Sequence, residues 1–270
     1  LAEQINAARR RVTSAATMKL HILQLIFFST YAELRAERAR SYLGLIWWLL
    51  EPAMQMATYY LVFAVVMNSP TPDFVPFLLI GLVAWQWFKS SVTHGGHAIW
   101  YNLPLIRQVK LPAAIFPSIQ ILADTTKFAF ILALLLVFLW SVGYPPNMAY
   151  FALVPVLLIE FLFASAIAYF MASLVPVLPD LRFVIEQILV VSMFLSGVIF
   201  SIGNVPSPWR EILAANPMVG LIDALRGILM HAQWPDWLAL TRLGLISLVL
   251  YTVALLLIRH LTPRYVKQAS

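Results

Sequence analysis

The sequence predicts an all-α integral membrane protein: six transmembrane helices, an N-terminal interfacial amphipathic helix, and two short outer helices between spans five and six. Composition, run length and charge placement predict this. Of 270 residues, 61% are hydrophobic and only 11% are charged, whereas soluble domains carry roughly 25% charged residues. Apolar runs long enough to cross a bilayer, about 20 residues each, recur along the chain. Lysine and arginine gather on one side of those runs.

Residues 1–41 open the chain with LAEQINAARRRVTSAATMK, which is polar and lacks the apolar centre of a signal peptide. The first residue is Leu1 rather than Met, which raises the expectation of a short leader ahead of it. The stretch 20–34, LHILQLIFFSTYAEL, is apolar but too short and too interrupted to cross. With RAERAR behind it, this reads as an amphipathic helix on the inner membrane surface, with Arg35, Arg38 and Arg40 at its end.

Spans are expected at 42–68, 74–100, 112–141, 148–176, 182–201 and 237–259. The second turns polar after Phe88, through Lys89, His94, Gly95, Gly96 and His97, so that half should face protein or water rather than lipid. Thirteen Lys and Arg fall in 1–41, 101–111, 177–182 and the tail from Arg259, against two, Arg210 and Arg226, in the opposite connections. The positive-inside rule then puts both termini in the cytoplasm. The whole reads as one domain: 1–41 cytoplasmic and interfacial, 42–201 spans one to five, 202–236 periplasmic, 237–270 span six and tail. Within 202–236, Ser207-Pro208 and Asn216-Pro217 each pair a capping residue with a proline, the pattern that starts a helix. Two short helices follow from it, re-entrant or lying on the outer surface.

Several chemistries are disfavoured. The net charge of +6 is accounted for by cytoplasmic loops, so nucleic acid is not expected as a partner. There is no cysteine, hence no disulfide or thiolate site. No G-x-x-x-x-G-K-[ST] run is present, so any ATP and its Mg would be bound by another chain. His94 and His97 share a helix face with no acidic neighbour in sequence, which favours packing or water contact over metal. Among ionisable groups inside spans, Asp124 and Lys127 stand three apart and should pair; Glu51 and Lys89 are not assigned to each other. The acids Asp73, Asp180, Glu211, Asp223 and Asp236 scatter over both faces, against an intramembrane lipid-sugar transferase.

Arg40-Ser41-Tyr42-Leu43-Gly44-Leu45-Ile46-Trp47 with Pro52, then Gly81-Leu82-Val83-Ala84-Trp85-Gln86-Trp87-Phe88 and Leu105-Ile106-Arg107-Gln108-Val109-Lys110-Leu111-Pro112, recur in order. Asp180, Val205-Pro206, Trp209, Asn216-Pro217-Met218 and Arg226 complete a set running from about residue 20 to 260. This set resembles the membrane subunits of type-2 ABC exporters, most of all the permeases that export O-antigen, capsular polysaccharide or teichoic acid. Two departures stand out: Pro179 where the family often has Arg before the acid, and Ser196-Gly197 where it often has Ser-Pro.

The resemblance implies a homodimer bound to two ATPase subunits, moving a lipid-linked polysaccharide outward, with periplasmic export partners a further expectation. A drug or small-lipid exporter of the same superfamily is the alternative. It also implies that the link between spans two and three is a coupling helix docked on the ATPase, with a second contact at Asp180 and Arg182. The link suits that task, because Pro104 and Pro112 delimit it. Leu105, Ile106 and Val109 offer apolar knobs, while Arg107 and Lys110 offer steering charge. Trp209, Asn216, Pro217 and Arg226 are expected at a periplasmic gate. For the path itself, Gln55, Met56, Tyr59, Tyr60, Phe63 and Met67 form one stripe of span one, and Glu186, Gln187, Val190, Met193, Phe194 and Gly197 one face of span five. Aromatic rings with polar tips suit a sugar polymer; ordinary helix packing would produce the same stripe.

Overall fold

A computed structural model describes residues 21–37, 39, 46–62, 73–109 and 111–267. Among these, all regular structure is helical. α1 runs over 21–37, α2 over Ile46–Tyr60, α3 over Phe74–Tyr101 and α4 over Leu103–Gln108. α5 follows at Ile115–Ser141, α6 at Leu153–Leu174 and α7 at Leu181–Phe194. α8 (Trp209–Ala214), α9 (Pro217–His231) and α10 (Trp237–Lys267) complete the chain.

Four of these helices are long and apolar enough to cross a membrane: Phe74–Tyr101, Ile115–Ser141, the stretch Met148–Leu174 that includes α6, and Trp237–Tyr265. The protein is therefore a multi-pass membrane protein. Of the other two expected spans, α2 is described only from Ile46 to Tyr60, with a short π-type continuation to 62. α7 has 14 residues, about 21 Å at 1.5 Å per residue, and gives way after Phe194 to turns rather than continuing to residue 201. Gly197, with φ of 67°, is one of those turn residues; an L side chain would be strained there.

α3 is the centre of the bundle. Two-thirds (67%) of its apolar window is buried, against 17% for α10 at the periphery. It packs on α5 through Trp87 stacked on Phe128 at 3.9 Å, and on α6 through Phe88 stacked on Phe163 at 5.4 Å. Gly95 permits the approach, since a Cβ there would lie 3.0 Å from both Ala168 and Ile121. The second half of α3 thus faces protein, as its polarity predicts: Ser91, Gly95, Gly96 and His97 are all buried. α10 lies along α6 and is pinned at the α4 end, where the buried Tyr265 hydroxyl donates to the Ser173 carbonyl at 2.7 Å.

The connections have local causes. α5 ends in a Schellman turn: Gly143 takes φ of 105° and the Tyr144 amide returns to the Leu139 carbonyl at 2.9 Å. Asn216 caps α9 by accepting from the Met218 amide at 3.0 Å, with Pro217 at the first helical position, as the sequence predicts. Ser207 does not cap α8; its hydroxyl donates instead to the Glu211 carboxylate at 3.2 Å. Asp236 caps α10, accepting from the amides of Leu238 at 2.9 Å and Ala239 at 3.2 Å.

Candidate functional site

Helices α2, α3, α5 and α7, with the end of α1, enclose a half-open cavity of about 560 Å³. Its wall mixes charged and polar side chains with apolar and aromatic ones. Gln86 of α3 lies twelve residues from the helix start at Phe74, about 18 Å along the axis, and so near the middle of a hydrocarbon core of about 30 Å. Its amide donates to the Glu51 carboxylate of α2 at 2.9 Å. That bond satisfies two polar groups which lipid would penalise, and it ties α2 to the central helix.

Towards the α4 end, the charges form one cluster. The Asp124 carboxylate, whose side chain is 3% exposed, meets His94 Nδ1 at 2.8 Å and Lys127 Nζ at 3.3 Å. The Asp124–Lys127 pair is the one expected from sequence, while the acidic partner of His94 is a correction: it comes from α5, out of reach of any reading of α3 alone. Lys127 also meets the Glu37 carboxylate of α1 at 2.6 Å, and the Trp48 indole donates to the same carboxylate at 3.3 Å. The cluster therefore binds α1, α2, α3 and α5 together. Opposite it, α7 buries only Ile185 and Leu189 and leaves most of its circumference exposed.

The residues expected to line a path fall on these two helices. Glu186 and Gln187 line the cavity. Tyr59 of α2 donates to Met193 Sδ of α7 at 3.6 Å, which brings the two helices into contact. Met56 and Tyr59 are half-buried against the core, Gln55 is half-buried, and Tyr60 and Phe194 are exposed at 43% and 51%. Trp47 and Trp48 also line the cavity, which the sequence reading missed. Phe63, Met67, Arg38, Arg40 and Lys110 lie outside the described residues, and Arg35 is exposed on α1.

At the α4 end, the expected coupling segment is a short helix with proline in its first turn. Leu105, Arg107 and Val109 point outward, whereas Ile106 is buried among Ala98, Ile99 and Phe116. The apolar knobs available to a partner are thus Leu105 and Val109. Asp180 is exposed in the turn before α7. Arg182 folds back, donating to the Pro179 carbonyl at 3.0 Å and covering the Trp100 ring at 5.0 Å.

At the opposite end, Arg226 of α9 is 4% exposed and donates to three carbonyls: Phe77 at 3.1 Å, Gly197 at 2.8 Å and Val198 at 2.7 Å. It also lies 3.3 Å over the Phe77 ring. Burial pulls its pKa down to about 9, with Asp223 at 3.6 Å opposing the shift, so the guanidinium stays protonated at neutral pH. Gly81 makes the clamp possible, since a Cβ there would sit 2.7 Å from Arg226 Nη2. Asn216 adds a second tie, its amide donating to Ser196 Oγ at 2.9 Å. Pro217 starts α9, and Trp209 is 62% exposed on α8. Among the described residues, no group of three His, Asp or Glu is placed to hold a metal ion.

A central helix ringed by long apolar helices, with charged and polar groups gathered in a cavity between them, is an architecture suited to the membrane component of a transport system. The chain belongs to the ABC-2 type transporter family, whose sequence model matches residues 24–230. It is 31% identical to an O-antigen export system permease protein, RfbA, of Myxococcus xanthus, over 82% of this chain and 86% of that protein. It is 23% identical to an O-antigen export system permease protein RfbA of Klebsiella pneumoniae, over 78% of this chain and 82% of that one. Similarity extends to the polysialic acid transport protein KpsM of Escherichia coli, at 25% identity over 84% and 89% of the two chains.

Proposed function

We propose that this chain is the permease subunit of an ATP-driven exporter that moves a lipid-linked polysaccharide across the bacterial inner membrane. It would act as a homodimer with two ATPase subunits, which bind the ATP and Mg. The observation that carries this is the polar cavity between α2 and α7, read with the family membership. In a chain alone in lipid, Glu186 and Gln187 on an open helix would be costly. A second copy meeting this one across α2 and α7 about a two-fold axis turns both half-open cavities into one conduit. On this reading α2 and α7 are the fifth and sixth crossings, both termini are cytoplasmic, and α8 and α9 sit on the periplasmic side as a gate.

Gln55, Met56, Tyr59, Tyr60, Phe63, Glu186, Gln187 and Phe194 then face the polymer, with rings for its C–H faces and polar tips for its hydroxyls. Leu105, Val109, Arg107 and Lys110 dock on the ATPase, with Asp180 and Arg182 beside them. The conduit does no bond-making chemistry. ATP binding favours one arrangement of the coupled helices over another, and export follows the difference in contacts between the two.

Deletion of the gene in a strain without a paralogue tests the reading. One class of surface glycan should disappear and its lipid-linked precursor should accumulate inside. An unchanged surface glycan profile overturns the proposal.

A further inference from the structure

We infer that the polymer passed by this conduit is uncharged along its repeat rather than polyanionic; this rests on the permease reading above. Among the described residues, the cavity wall carries four carboxylates, Glu37, Glu51, Asp124 and Glu186, against two lysines, Lys89 and Lys127, and one histidine. It is acidic whichever protonation state His94 adopts. The charges are also unevenly spent. Lys127 is engaged by both Glu37 and Asp124, so it offers nothing to a passing anion. What faces the open space is Glu51, already accepting from Gln86, and Glu186, exposed on α7, with Lys89 alone among the described residues to oppose them.

Two-fold symmetry would double this imbalance rather than cancel it, because each copy brings the same residues. In a narrow, low-dielectric passage, such a wall produces a potential of several kT that attracts cations and repels anions. A polymer with a carboxylate or phosphate on every repeat would meet that repulsion at each step. One with hydroxyls alone would find acceptors in the carboxylates and the Gln187 amide, and stacking faces in Trp47 and Trp48. The single anionic linkage to the lipid lies at one end and leaves the repeat-by-repeat balance unchanged. The wall therefore selects by a repulsive element as well as an attractive one.

Two measurements test this. With Val190→Cys as the sole thiol in the ATPase-bound complex, a trimethylammonium methanethiosulfonate should label about tenfold faster than its sulfonate counterpart, after correction for a free thiol. Adding Glu186→Gln should cut that preference at least threefold. Equal rates, or faster labelling by the sulfonate, overturn the inference. Absence of labelling by either reagent overturns the conduit reading and the inference with it. In the deletion strain, the glycan that disappears should pass unretained through an anion-exchange column. A lost glycan with an acidic group on every repeat overturns the inference but leaves polysaccharide export standing, whereas loss of no glycan overturns both.

Discussion

Arg226→Met is expected to be among the most destabilising single changes outside the apolar core, and the size of the effect follows from the geometry. The guanidinium makes three charge-assisted bonds, at 2.7, 2.8 and 3.1 Å, to carbonyls of α3 and of the turn after α7. Hydrogen bonds to charged groups contribute about 1.5–3 kcal/mol each, but removing one donor group is not additive over its bonds. Met fills part of the volume and keeps contact with the Phe77 ring. A net loss of about 3–5 kcal/mol remains, on the order of a 10 °C drop in thermal midpoint for a chain of this size. Arg226→Lys, which can serve only one of the carbonyls well, should fall between. Gly81→Ala places a Cβ at 2.7 Å from Nη2 and 3.1 Å from the Val198 carbonyl, and should cost about 1–3 kcal/mol by overpacking. The two sites share a contact, so the double variant should lose at least about 1 kcal/mol less than the sum. Thermal unfolding of the purified protein in detergent measures all four. An Arg226→Met protein within about 0.5 kcal/mol of the parent, or strict additivity with Gly81→Ala, would refute the clamp.

Three further outcomes are expected. Lys127→Met leaves the nearly buried Asp124 with His94 as its remaining partner and cuts the tie from α5 to Glu37 of α1, and should cost about 2–4 kcal/mol by thermal unfolding, and Lys127→Met with Asp124→Asn should recover part of it; no recovery would show that the loss comes from the Glu37 tie rather than from the uncompensated Asp124. Leu105→Asp or Val109→Asp should lower co-purification of the ATPase at least fivefold at unchanged membrane level, whereas Ile106→Ala should lower the level itself, with about 2–4 kcal/mol lost; the reverse pattern would mean that α4 docks by its other face. A reporter fused at Ser270 should be cytoplasmic and one inserted near Gly203 periplasmic; finding both on one side of the membrane would disprove six crossings.

The parts of this fold legible in the sequence are those set by local chemistry. Run length identifies α3, α5, α6 and α10, because a helix that crosses lipid must be apolar for about 20 residues whatever its neighbours do. Asn216-Pro217 announces α9 for a similar reason: cap and proline act within one turn. What escaped depends on which helix faces which. His94 finds Asp124 across a helix interface, and Glu37 finds Lys127 across 90 residues of chain. Ile106 reads as a knob because α4 is short, yet the approach of α5 and α10 decides which side is covered. The end of α7 was misplaced because 195–201 stays apolar; Leu195 to Ile199 are a buried or half-exposed turn that the hydropathy of a span would fit equally well. Arg226 did leave a signal. It falls on the same stripe of α9 as Ile222 and Leu229, both buried. A cation on an apolar stripe must find acceptors there, or it would not be tolerated.

The Arg226 clamp and α4 lie at opposite ends of α3, and on the proposed reading that arrangement bears on how a coupling segment would reach the gate. α3 is continuous for 28 residues, about 42 Å, with α4 following directly through Asn102, whose amide donates to the Ala98 carbonyl at 2.8 Å. At its other end, the carbonyl of Phe77 is held by Arg226 of α9. A displacement applied at Leu105 and Val109 therefore reaches α9 without crossing a loop. α7 is held differently: its far end is joined to the same clamp through Gly197 and Val198, while along its length only Ile185 and Leu189 are buried, with Met193 meeting Tyr59 of α2. The clamp thus joins the far end of α7 to α3, and the middle of α7 carries the exposed Glu186 and Gln187. Exposed Trp209 and the short α8 contact little besides α9 and the turn before them, so they ride on it. The central helix, the turn after α7 and α9 are thus joined through one shared, buried arginine, which on the proposed reading would link the cavity wall to the gate helices.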